Sequence, residues 1–560
     1  KHPQKFALIS DESKWTFKQF DQLANQIANF FTERGLKAGD EVALFMPSKP
    51  EHVIIWYGLS RIGVVTGLIN ENLKSDPLVH SITCIRPKAL IFDSEFEEVI
   101  SDIYETLNEK QKFSYFYFGD TTCKVKAENL KQLIKEQPDD RLKSQYKTSM
   151  KDSLCYIYTS GTTGFPKAAI VKQSRVIYVG VAINLALSLN SDDIVYNCLP
   201  LYHTIGVVFT LSQLFFYGRT IVIRRKFSAS KFWDDCIKYN CTVSNYIGEV
   251  TSYLLAQPPK LTDKSHRVRK LFGAGLRQTI WKDFVNRFQI KDVFEVFGST
   301  EGNTNMGNLD SKDGSCGFVP VCIPKFIRKL FLPLTFIKVE ADTGEVIRDE
   351  NGFCIECKPG DSGMLVAKID NSHPSTAFEG YVNKTETEKK ILRDVFKKGD
   401  AYFSSGDVLY MDEFGYFYFK DRIGDTFRWK GENVSTNEVE GVIAKILNVV
   451  DCVVYGVQIP YCDGKAGMVA IATKQTIDFA NFYKQMNQIL PKYAVPLFVR
   501  FIENVELTGT FRFSKVTLKK DAFDINVCKD QIYVINYKNQ TYEKLTYEIY
   551  EQIVNEKISF

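Results

Sequence analysis

The feature that most constrains this 560-residue chain is a segment rich in glycine and hydroxyl groups that directly follows an apolar stretch. Leu154–Ile157 has the composition of a buried strand, and Tyr158–Lys167 then contains two glycines, four hydroxyl side chains of Ser and Thr, and a terminal lysine. Glycine lets backbone N–H groups turn toward an anion, the hydroxyls add donors, and the lysine adds a positive charge. We therefore predict a phosphate-binding loop. Its predicted contacts are Thr159, Ser160, Gly161, Thr162, Thr163, Gly164 and Lys167.

This loop differs from the loop of P-loop NTPases. Lys167 follows the second glycine by three residues, and neither Ser nor Thr comes after it. The competing interpretation is an ordinary surface turn, in which Ser, Thr and Gly are also common. A nucleotide site would require partner segments elsewhere in the chain.

Such segments occur further along, in a fixed order. Gly273-Ala274-Gly275 follows the apolar Leu271-Phe272, and small residues there would let a flat ring lie against the backbone. Phe297-Gly298-Ser299-Thr300-Glu301 comes next, then Phe403-Ser404-Ser405-Gly406-Asp407, and then a segment that begins at Asp421-Arg422. Four motifs in order leave little room for chance.

Together these motifs resemble the adenylate-forming superfamily, which contains acyl-CoA synthetases, luciferases and the adenylation domains of peptide synthetases. The resemblance implies a role for each matched residue. Phe297 would stack on adenine, Thr300 would contact the α-phosphate, and Glu301 would help to hold Mg²⁺, a cation that prefers oxygen ligands. Asp407 would accept the ribose hydroxyls and Arg422 would reach the ribose or the phosphate. A solvated loop carboxylate is the alternative interpretation of Glu301.

Three stretches are similar to one branch, the fatty acid transport protein and very-long-chain acyl-CoA synthetase family: Phe427–Ser435, Phe227–Cys236 and Tyr246–Glu249. This resemblance implies an AMP-forming ligase that uses ATP, Mg²⁺ and coenzyme A to activate long-chain or very-long-chain fatty acids, coupled to fatty acid uptake. His203, Tyr246 and Gly248 would lie near the acyl chain, and Trp233 and Val207–Phe216 could line an apolar tunnel. The alternative interpretation is ordinary core, which is the more common role of such residues.

Two other functions stay open from the sequence. One is a membrane fatty acid carrier with weak or lost ligase activity, and the other is a luciferase-like oxygenase that shares the first half-reaction. The carrier hypothesis rests on Arg512, which stands in Leu507–Arg512 where the superfamily has a catalytic lysine. Arginine keeps the charge but offers a planar fork instead of a point ammonium. Lys515 could substitute for it.

Other departures concern the junction between the two domains. Gly424 occupies the position where many relatives carry an Asp or Lys hinge, and glycine widens the accessible backbone range. Asn433 stands where some relatives have an arginine, so that role is unassigned. By resemblance, the chain divides into a large N-terminal AMP-binding domain, residues 1–422, and a small mobile C-terminal domain, residues 423–560, with a hinge near 422–425.

Length and composition agree with an α/β enzyme of two domains. At 560 residues the chain is too long for one core, and 44% hydrophobic with 25% charged residues is ordinary for a globular protein. A net charge of +4 gives no broad field for nucleic acid. Thirteen scattered cysteines fit a reducing compartment, and Cys354-Ile355-Glu356-Cys357 has no second pair at zinc spacing.

Local patterns predict where the elements lie. Thr16–Gln19 is a capping box that opens a helix with an apolar stripe ended by Gly35. Glu41–Met46, Pro50–Arg61 and Gly63–Ile69 form a βαβ unit, which we expect to recur over the first 420 residues. Beyond the junction we predict a small α+β domain. Its predicted elements are helices at Ser435–Leu447 and Asp478–Leu490 and strands at Val449–Val457 and Met468–Lys474. At the start of the chain, in the large domain, Lys5–Ser10 is predicted to be a strand.

Membrane signals are indirect. The chain opens at Lys1, so we expect an upstream anchor segment of the kind usual in the family, and a membrane-associated protein of the endoplasmic reticulum or plasma membrane, or of the peroxisome, with a cytosolic catalytic part. Val176–Ser191 and Ile194–Gly218 lack charge, and we interpret both as buried core. Pro320–Lys338 interleaves apolar and basic residues, as in a helix lying on an anionic leaflet or in a core-facing element with a charged side. A homo-oligomer is also possible.

Overall fold

The computed structural model of the chain describes most of its residues. For Arg422 and Asn433 it describes the backbone alone. The described residues are 2–142, 146–159, 165–324, 327, 334–340, 344–372, 376–422, 425–430, 432–449, 451–460, 462, 464–473, 475–505, 515–558 and 560.

Two mainly parallel sheets form the first part of the chain. The first has seven strands, all parallel except for the antiparallel last pair. In spatial order its strands are Glu128–Asn129, Ser114–Phe118, Ala89–Asp93, Glu41–Phe45, Val65–Leu68, Ser153–Thr159 and Lys167–Lys172.

The second sheet has eight strands and is parallel inside, with an antiparallel strand at each edge. In spatial order its strands are Asn305–Asn308, Asp292–Gly298, Lys270–Ala274, Val243–Ile247, Ile194–Asn197, Thr220–Ile223, Phe6–Ile9 and Lys14–Thr16. Parallel strands require crossover segments, and helices supply them here.

Helices cover both sheets. The α-helices of this region are Phe17–Glu33, Pro50–Arg61, Ser75–Thr83, Glu97–Lys110, Leu130–Leu133, Gln173–Leu187, Thr210–Tyr217, Phe232–Lys238, Gly248–Leu255 and Gln278–Phe288, with a π-helical turn at Ile205–Phe209 and 3₁₀ turns at Ser94–Phe96, Ile134–Glu136 and Leu261–Lys264. The predicted capping box is confirmed: Thr16 Oγ1 accepts from the Gln19 N–H at 3.3 Å, and Gln19 Oε1 accepts from the Thr16 N–H at 2.9 Å.

The expectation that βαβ units recur to residue 420 is wrong beyond the second sheet. A third sheet of six strands is wholly antiparallel, with one short helix, Lys384–Glu388, beside it. Alternating apolar residues in short strands joined by turns favour antiparallel pairing, because tight turns can link such strands without crossovers. The strands are Gly317–Phe318, Tyr416–Arg422, Ala401–Met411, Ser362–Lys368 and Leu334–Ile337, with Ile391–Arg393 paired to Ala401–Met411.

The C-terminal part is the predicted α+β unit, with its own core centred on residues such as Tyr455, Met468 and Phe498. A hairpin of Phe427–Trp429 and Glu432–Val434 leads into it. Its strands, in spatial order, are Cys452–Gln458, Lys465–Ile471, Phe498–Phe501, Gln531–Asn536 and Thr541–Lys544, and its helices are Thr436–Leu447, Phe479–Ile489, Val516–Asp521 and Tyr547–Val554, with a 3₁₀ turn at Lys492–Ala494. The fold is thus α/β with a smaller α+β region, as predicted.

The two charge-free stretches differ in burial. The second, from Ile194 to Gly218, is largely buried core as predicted. The first forms the helix Gln173–Leu187, and the prediction of buried core is wrong for one of its sides, where Tyr178 is 60% and Leu185 is 70% exposed. Among the residues that the structure describes, no helix combines the length and apolar character needed to cross a bilayer.

The middle of the basic and apolar stretch from Pro320 to Lys338 lies outside the described residues, which include 320–324, 327 and 334–338. Near its C-terminal end is the strand Leu334–Ile337, in which Phe336 and Ile337 are buried. These two side chains belong to the core of the antiparallel sheet.

Candidate active site

A cavity of about 2080 Å³ opens where the two parallel sheets, the antiparallel sheet and the C-terminal unit meet. It collects residues from segments that are far apart in the sequence. The predicted site residues that line it are Thr159, Lys167, His203, Ala274, Gly275, Phe297, Thr300, Glu301 and Asp407.

Several predicted site residues fall outside the described residues: Ser160, Gly161, Thr162, Thr163, Gly164, Gly424 and Arg512. For Arg422 only the backbone is described, and it pairs with the backbone of Asp407 across neighbouring strands. The roles of these residues stay predictions.

The ends of the predicted phosphate loop are held by strand pairing. Thr159 ends one strand and Lys167 begins the next, and the two are direct antiparallel partners. The Lys167 ammonium group forms an ion pair with Glu386, and Lys167 and Lys389 together lower the pKa of the Glu386 carboxyl to about 2. Lys167 is thus a cation held in place at the cavity by a carboxylate.

Thr300 is fixed from two directions. Its hydroxyl is 2.8 Å from the Thr204 hydroxyl, and its backbone carbonyl accepts from Arg175 Nη1 at 2.6 Å. Arg175 Nη2 donates to the neighbouring Ser299 carbonyl, also at 2.6 Å, and burial lowers the pKa of the guanidinium. Arg175 therefore holds the backbone of the loop Ser299–Glu301, from which the Thr300 hydroxyl and the Glu301 carboxylate are presented to the cavity.

Arg175 was not predicted from the sequence. It lies near the start of the helix Gln173–Leu187, eight residues beyond Lys167, and no local pattern links it to a loop 125 residues away. The only signal was a charged residue opening an otherwise uncharged helix.

Glu301 is 8% exposed, with the Lys390 ammonium 3.8 Å from its carboxylate. Tyr381 lies beside it: burial, followed by the Glu301 charge, raises the pKa of the Tyr381 hydroxyl. The Ser299 hydroxyl is shielded from solvent and makes no hydrogen bond with any described residue. A buried carboxylate next to an unsatisfied hydroxyl fits a hard cation that keeps most of its ligands as water and phosphate oxygens. Within the described parts of the chain, no group of three or more His, Cys, Asp and Glu forms an all-protein metal cage.

The glycines near the adenine motif serve close packing. A Cβ on Gly248 would lie 2.0 Å from the Gly275 carbonyl oxygen, and one on Gly273 would lie 2.1 Å from the Tyr246 carbonyl oxygen. Gly275 itself has φ +93°, a conformation that favours glycine. These contacts bring two parallel strand ends together and leave Ala274 and Gly275 on the cavity wall.

A buried carboxylate, Glu295, holds this segment and was also missed by the sequence reasoning. It accepts hydrogen bonds from the Gly275 N–H, the Leu276 N–H and the Tyr246 hydroxyl. Burial raises its pKa to about 8. Glu295 therefore orients the glycine turn from behind.

The predicted adenine and ribose contacts occupy the same cavity. The Phe297 ring is 9% exposed and packs against Met306 and Cys316. Asp407 lies in the strand Ala401–Met411 directly after Gly406, whose φ is +74°, and its own N–H donates to Ser405 Oγ at 3.3 Å.

The predicted acyl contacts separate into two groups. His203 lines the cavity, burial lowers its pKa to about 3, and its Nε2 makes no hydrogen bond with any described residue. Tyr246 and Gly248 are not among the lining residues, because the Tyr246 side chain points to Glu295 inside the core. Trp233 is likewise core, stacked on His266 with ring centroids 4.0 Å apart. The positions of Tyr246, Gly248 and Trp233 therefore do not support the prediction that they line an acyl tunnel.

The C-terminal unit adds an ion network to the cavity. Lys515 Nζ lies 2.9 Å from the Thr436 hydroxyl, 3.2 Å from the Glu440 carboxylate and 3.6 Å from the Asp425 carboxylate. Burial alone would lower the pKa of Lys515, but the surrounding carboxylates outweigh it and raise the pKa. Asp421, at the junction, accepts from the Thr436 N–H at 2.8 Å. Lys515, which the sequence suggested as a substitute for Arg512, therefore lines the cavity, but its ion-pair partners were not predicted.

Comparisons with known proteins agree with this geometry. Residues 1–350 match the family model described as AMP-binding enzyme, and residues 438–512 match the model of the AMP-binding enzyme C-terminal domain. Long-chain fatty acid transport protein 1 of mouse and of human is 42% identical over 99% of this chain and 85% of the relative. Long-chain fatty acid transport protein 2 of rat is 37% identical over all of this chain and 89% of the relative.

Solved structures share the fold. The anthranilate CoA ligase AuaEII in complex with anthranoyl-AMP has a TM-score of 0.77 at 20% identity, covering 93% of this chain and 95% of that one. ATP-bound MatB from Rhodopseudomonas palustris has a TM-score of 0.75 at 23% identity, covering 93% and 97%. The complex of MenE from Bacillus subtilis with ATP and magnesium has a TM-score of 0.72 at 20% identity, covering 93% and 97%.

Proposed function

The chain belongs to the long-chain fatty acid transport protein family of the AMP-binding enzymes, and from that premise we propose that it is an AMP-forming ligase that joins long-chain or very-long-chain fatty acids to coenzyme A. The reaction uses ATP and Mg²⁺. Because the thioester is charged and polar at one end, its formation traps the fatty acid and so couples activation to uptake.

One observation carries this proposal. Lys167, Thr300, Glu301 and Asp407 come from three separate segments of the chain, and each was predicted from a nucleotide motif. All four line one cavity. A set of unrelated surface turns would have no reason to converge in this way.

In the first step, a fatty carboxylate oxygen attacks the α-phosphorus of ATP. A bond forms between that oxygen and phosphorus, the bond from the α-phosphorus to its bridging oxygen breaks, and pyrophosphate leaves with the electron pair. The negative charge spread over the phosphate oxygens needs donors already in place. The Thr300 hydroxyl supplies one, and Lys167 supplies a cation when it exchanges Glu386 for the phosphate.

We propose that Glu301 would hold Mg²⁺ and that the unsatisfied Ser299 hydroxyl, two residues earlier in the chain, would assist it. When bound, Mg²⁺ would neutralise charge on the phosphates. Arg175 acts indirectly, by holding the backbone that carries Thr300 and Glu301.

In the second step, the thiol of coenzyme A loses its proton, its sulfur attacks the acyl carbonyl, and AMP leaves with the mixed-anhydride oxygen. We propose that residues 1–422 form the large domain and residues 423–560 a mobile small domain, which turns about a hinge near 422–425 between the steps. The wide φ and ψ range of Gly424 suits such a hinge. We also propose that the protein is membrane-associated with its catalytic part in the cytosol, which would place it close to fatty acids in a bilayer.

The test is ligation by the purified protein with ATP, Mg²⁺, coenzyme A and palmitate, in which thioester and AMP are both measured. Glu301→Ala removes the proposed cation ligand and should reduce both products by about a hundredfold or more, the scale seen when a group that stabilises transition-state charge is lost. Glu388→Ala is the matched control, because that carboxylate is exposed and pairs with Arg393 outside the cavity.

Equal loss in the two variants would contradict the role of Glu301. If the wild type forms neither thioester nor AMP but still binds palmitate, the ligase proposal fails and the carrier function replaces it. Loss of the acyl-adenylate that depends on oxygen would favour the oxygenase instead.

A further inference from the structure

The helix Gln173–Leu187 presents one continuous face to the cavity. Arg175, Val179, Ala182 and Ala186 are spaced three or four residues apart and all line it. A neighbouring face of the helix, which includes Val176 and Leu187, is packed in the core. After Arg175 the helix contains no charged residue, so this wall is apolar along its length.

The direction of this wall is fixed at both ends. At its start, Arg175 binds the carbonyls of Ser299 and Thr300, where the phosphate chemistry is proposed. At its end, the Leu187 carbonyl accepts from Lys270, which lies 3.4 Å from Asp292. The strand Asp292–Gly298 therefore runs antiparallel to the helix and forms a second wall, to which Phe294 and Val296 contribute.

The length of this arm suits a long chain. Eleven helical residues separate Arg175 from Ala186, which corresponds to about 16 Å. An extended acyl chain advances about 1.3 Å per C–C bond of about 1.5 Å, so it needs about 13 carbons to reach Ala186. The far end stays open: Leu185 is 70% and Leu309 is 67% exposed, and both line the cavity.

We propose that this arm holds the acyl chain with its carboxyl end at Thr300, and that Ala182 and Ala186 determine the chain lengths that the enzyme accepts. The inference rests on the proposed ligase function and specifies its substrate. Alanine at these two positions leaves room for the chain. Because the arm is open beyond Ala186, very long chains extend past it over the exposed leucines.

The experiment compares octanoate, palmitate and lignocerate as substrates of the full chain and of three variants. Ala182→Phe should lower kcat/KM for palmitate and lignocerate by about tenfold, equal to about 1.4 kcal/mol, and leave octanoate unchanged. Ala186→Phe, one helical turn farther from Thr300, should spare palmitate more than lignocerate. Val181→Phe is the matched control, since Val181 is exposed on the same helix and does not line the cavity.

Unchanged octanoate activity shows that each variant is folded and that the reacting centre is intact. The inference is overturned if both alanine variants keep the wild-type preference, if they lose all three substrates equally, or if Val181→Phe shifts the preference as much as they do. If the wild type makes no thioester from any of the three acids, it is the proposed ligase function that fails, so the two failures can be told apart.

Discussion

Arg175 is the residue that links helix and loop at the reacting end of the cavity. Both of its terminal nitrogens donate to backbone carbonyls at 2.6 Å, and together these bonds fix the loop that carries Thr300 and Glu301. Guanidinium suits this task because its rigid fork reaches two acceptors at once, whereas an ammonium group is a single point charge. The geometry of the loop thus depends on a side chain that binds it through the backbone.

For Arg175→Lys we expect turnover of palmitate to fall by about tenfold to a hundredfold, since losing a hydrogen bond to a charged group removes about 1.5–3 kcal/mol. The KM for ATP should change less than kcat, because the loop geometry matters most in the transition state. Steady-state kinetics would check this.

Arg348→Lys serves as the control for this substitution. Arg348 also donates to backbone carbonyls, those of Gly352 and Asp394 at 2.7 Å and that of Arg393 at 3.1 Å, but on an exposed surface outside the cavity. A similar loss of turnover in both variants would show that the Arg175 effect is not specific to the loop.

At the level of elements, the helix Thr436–Leu447 is the connection between the junction and the C-terminal core. Ser435 caps its start by accepting from the Glu438 N–H at 3.4 Å, and Asp421 accepts from the Thr436 N–H. Glu440, which is buried in the helix, accepts from the Val454 N–H at 2.9 Å and pairs with Lys515. The helix is therefore tied to the sheet on one side and to the segment before Val516–Asp521 on the other.

Lys515→Met should lower the free energy of unfolding by about 3 kcal/mol, the lower end of the range for removing one partner of a buried ion pair. Glu440 would lose its cation, whereas Asp425 would keep Lys519 at 2.7 Å. Urea unfolding measures this loss. Lys520→Met, which changes an exposed lysine in the helix Val516–Asp521 that follows Lys515, should shift the midpoint very little. Equal shifts in the two variants would mean that the network adds no stability.

At the level of the whole molecule, the cavity lies between units that have separate cores. The C-terminal core stands apart from the cores of the parallel sheets, and direct contacts join the two units, such as the hydrogen bond from the Tyr253 hydroxyl to Asp451 at 2.9 Å. Breaking and re-forming a few polar contacts of this kind costs little free energy. This arrangement suits the proposed turning of the small domain.

Gly424→Pro tests that motion. Proline fixes φ near −65° and removes an N–H, so we expect the hinge to stiffen. Formation of the acyl-adenylate, measured as pyrophosphate release, should be retained. Transfer of the acyl group to coenzyme A should fall by about tenfold or more, because only this second step needs the small domain to turn. Gly424→Ala is the milder control. Equal effects on the two steps would contradict a hinge at this position.

The sequence by itself determined the elements with strong local signals. The capping box at Thr16, the helix Pro50–Arg61 and the cap at Ser435 follow from contacts between residues three or four apart, and such contacts can be read along the chain. The glycine and hydroxyl motifs likewise indicated the family and its nucleotide chemistry, because those residue types are required at each position and do not depend on how the chain packs.

Tertiary structure alone decided the rest. The antiparallel sheet replaced the expected βαβ units because strand partners are chosen by non-local pairing. Arg175 and Glu295 bind backbone groups that lie 125 and 20 residues away, so no local pattern could reveal these two roles. Tyr246 became core and the side of the helix Gln173–Leu187 became cavity wall, because which face of an element meets solvent depends on what packs against it.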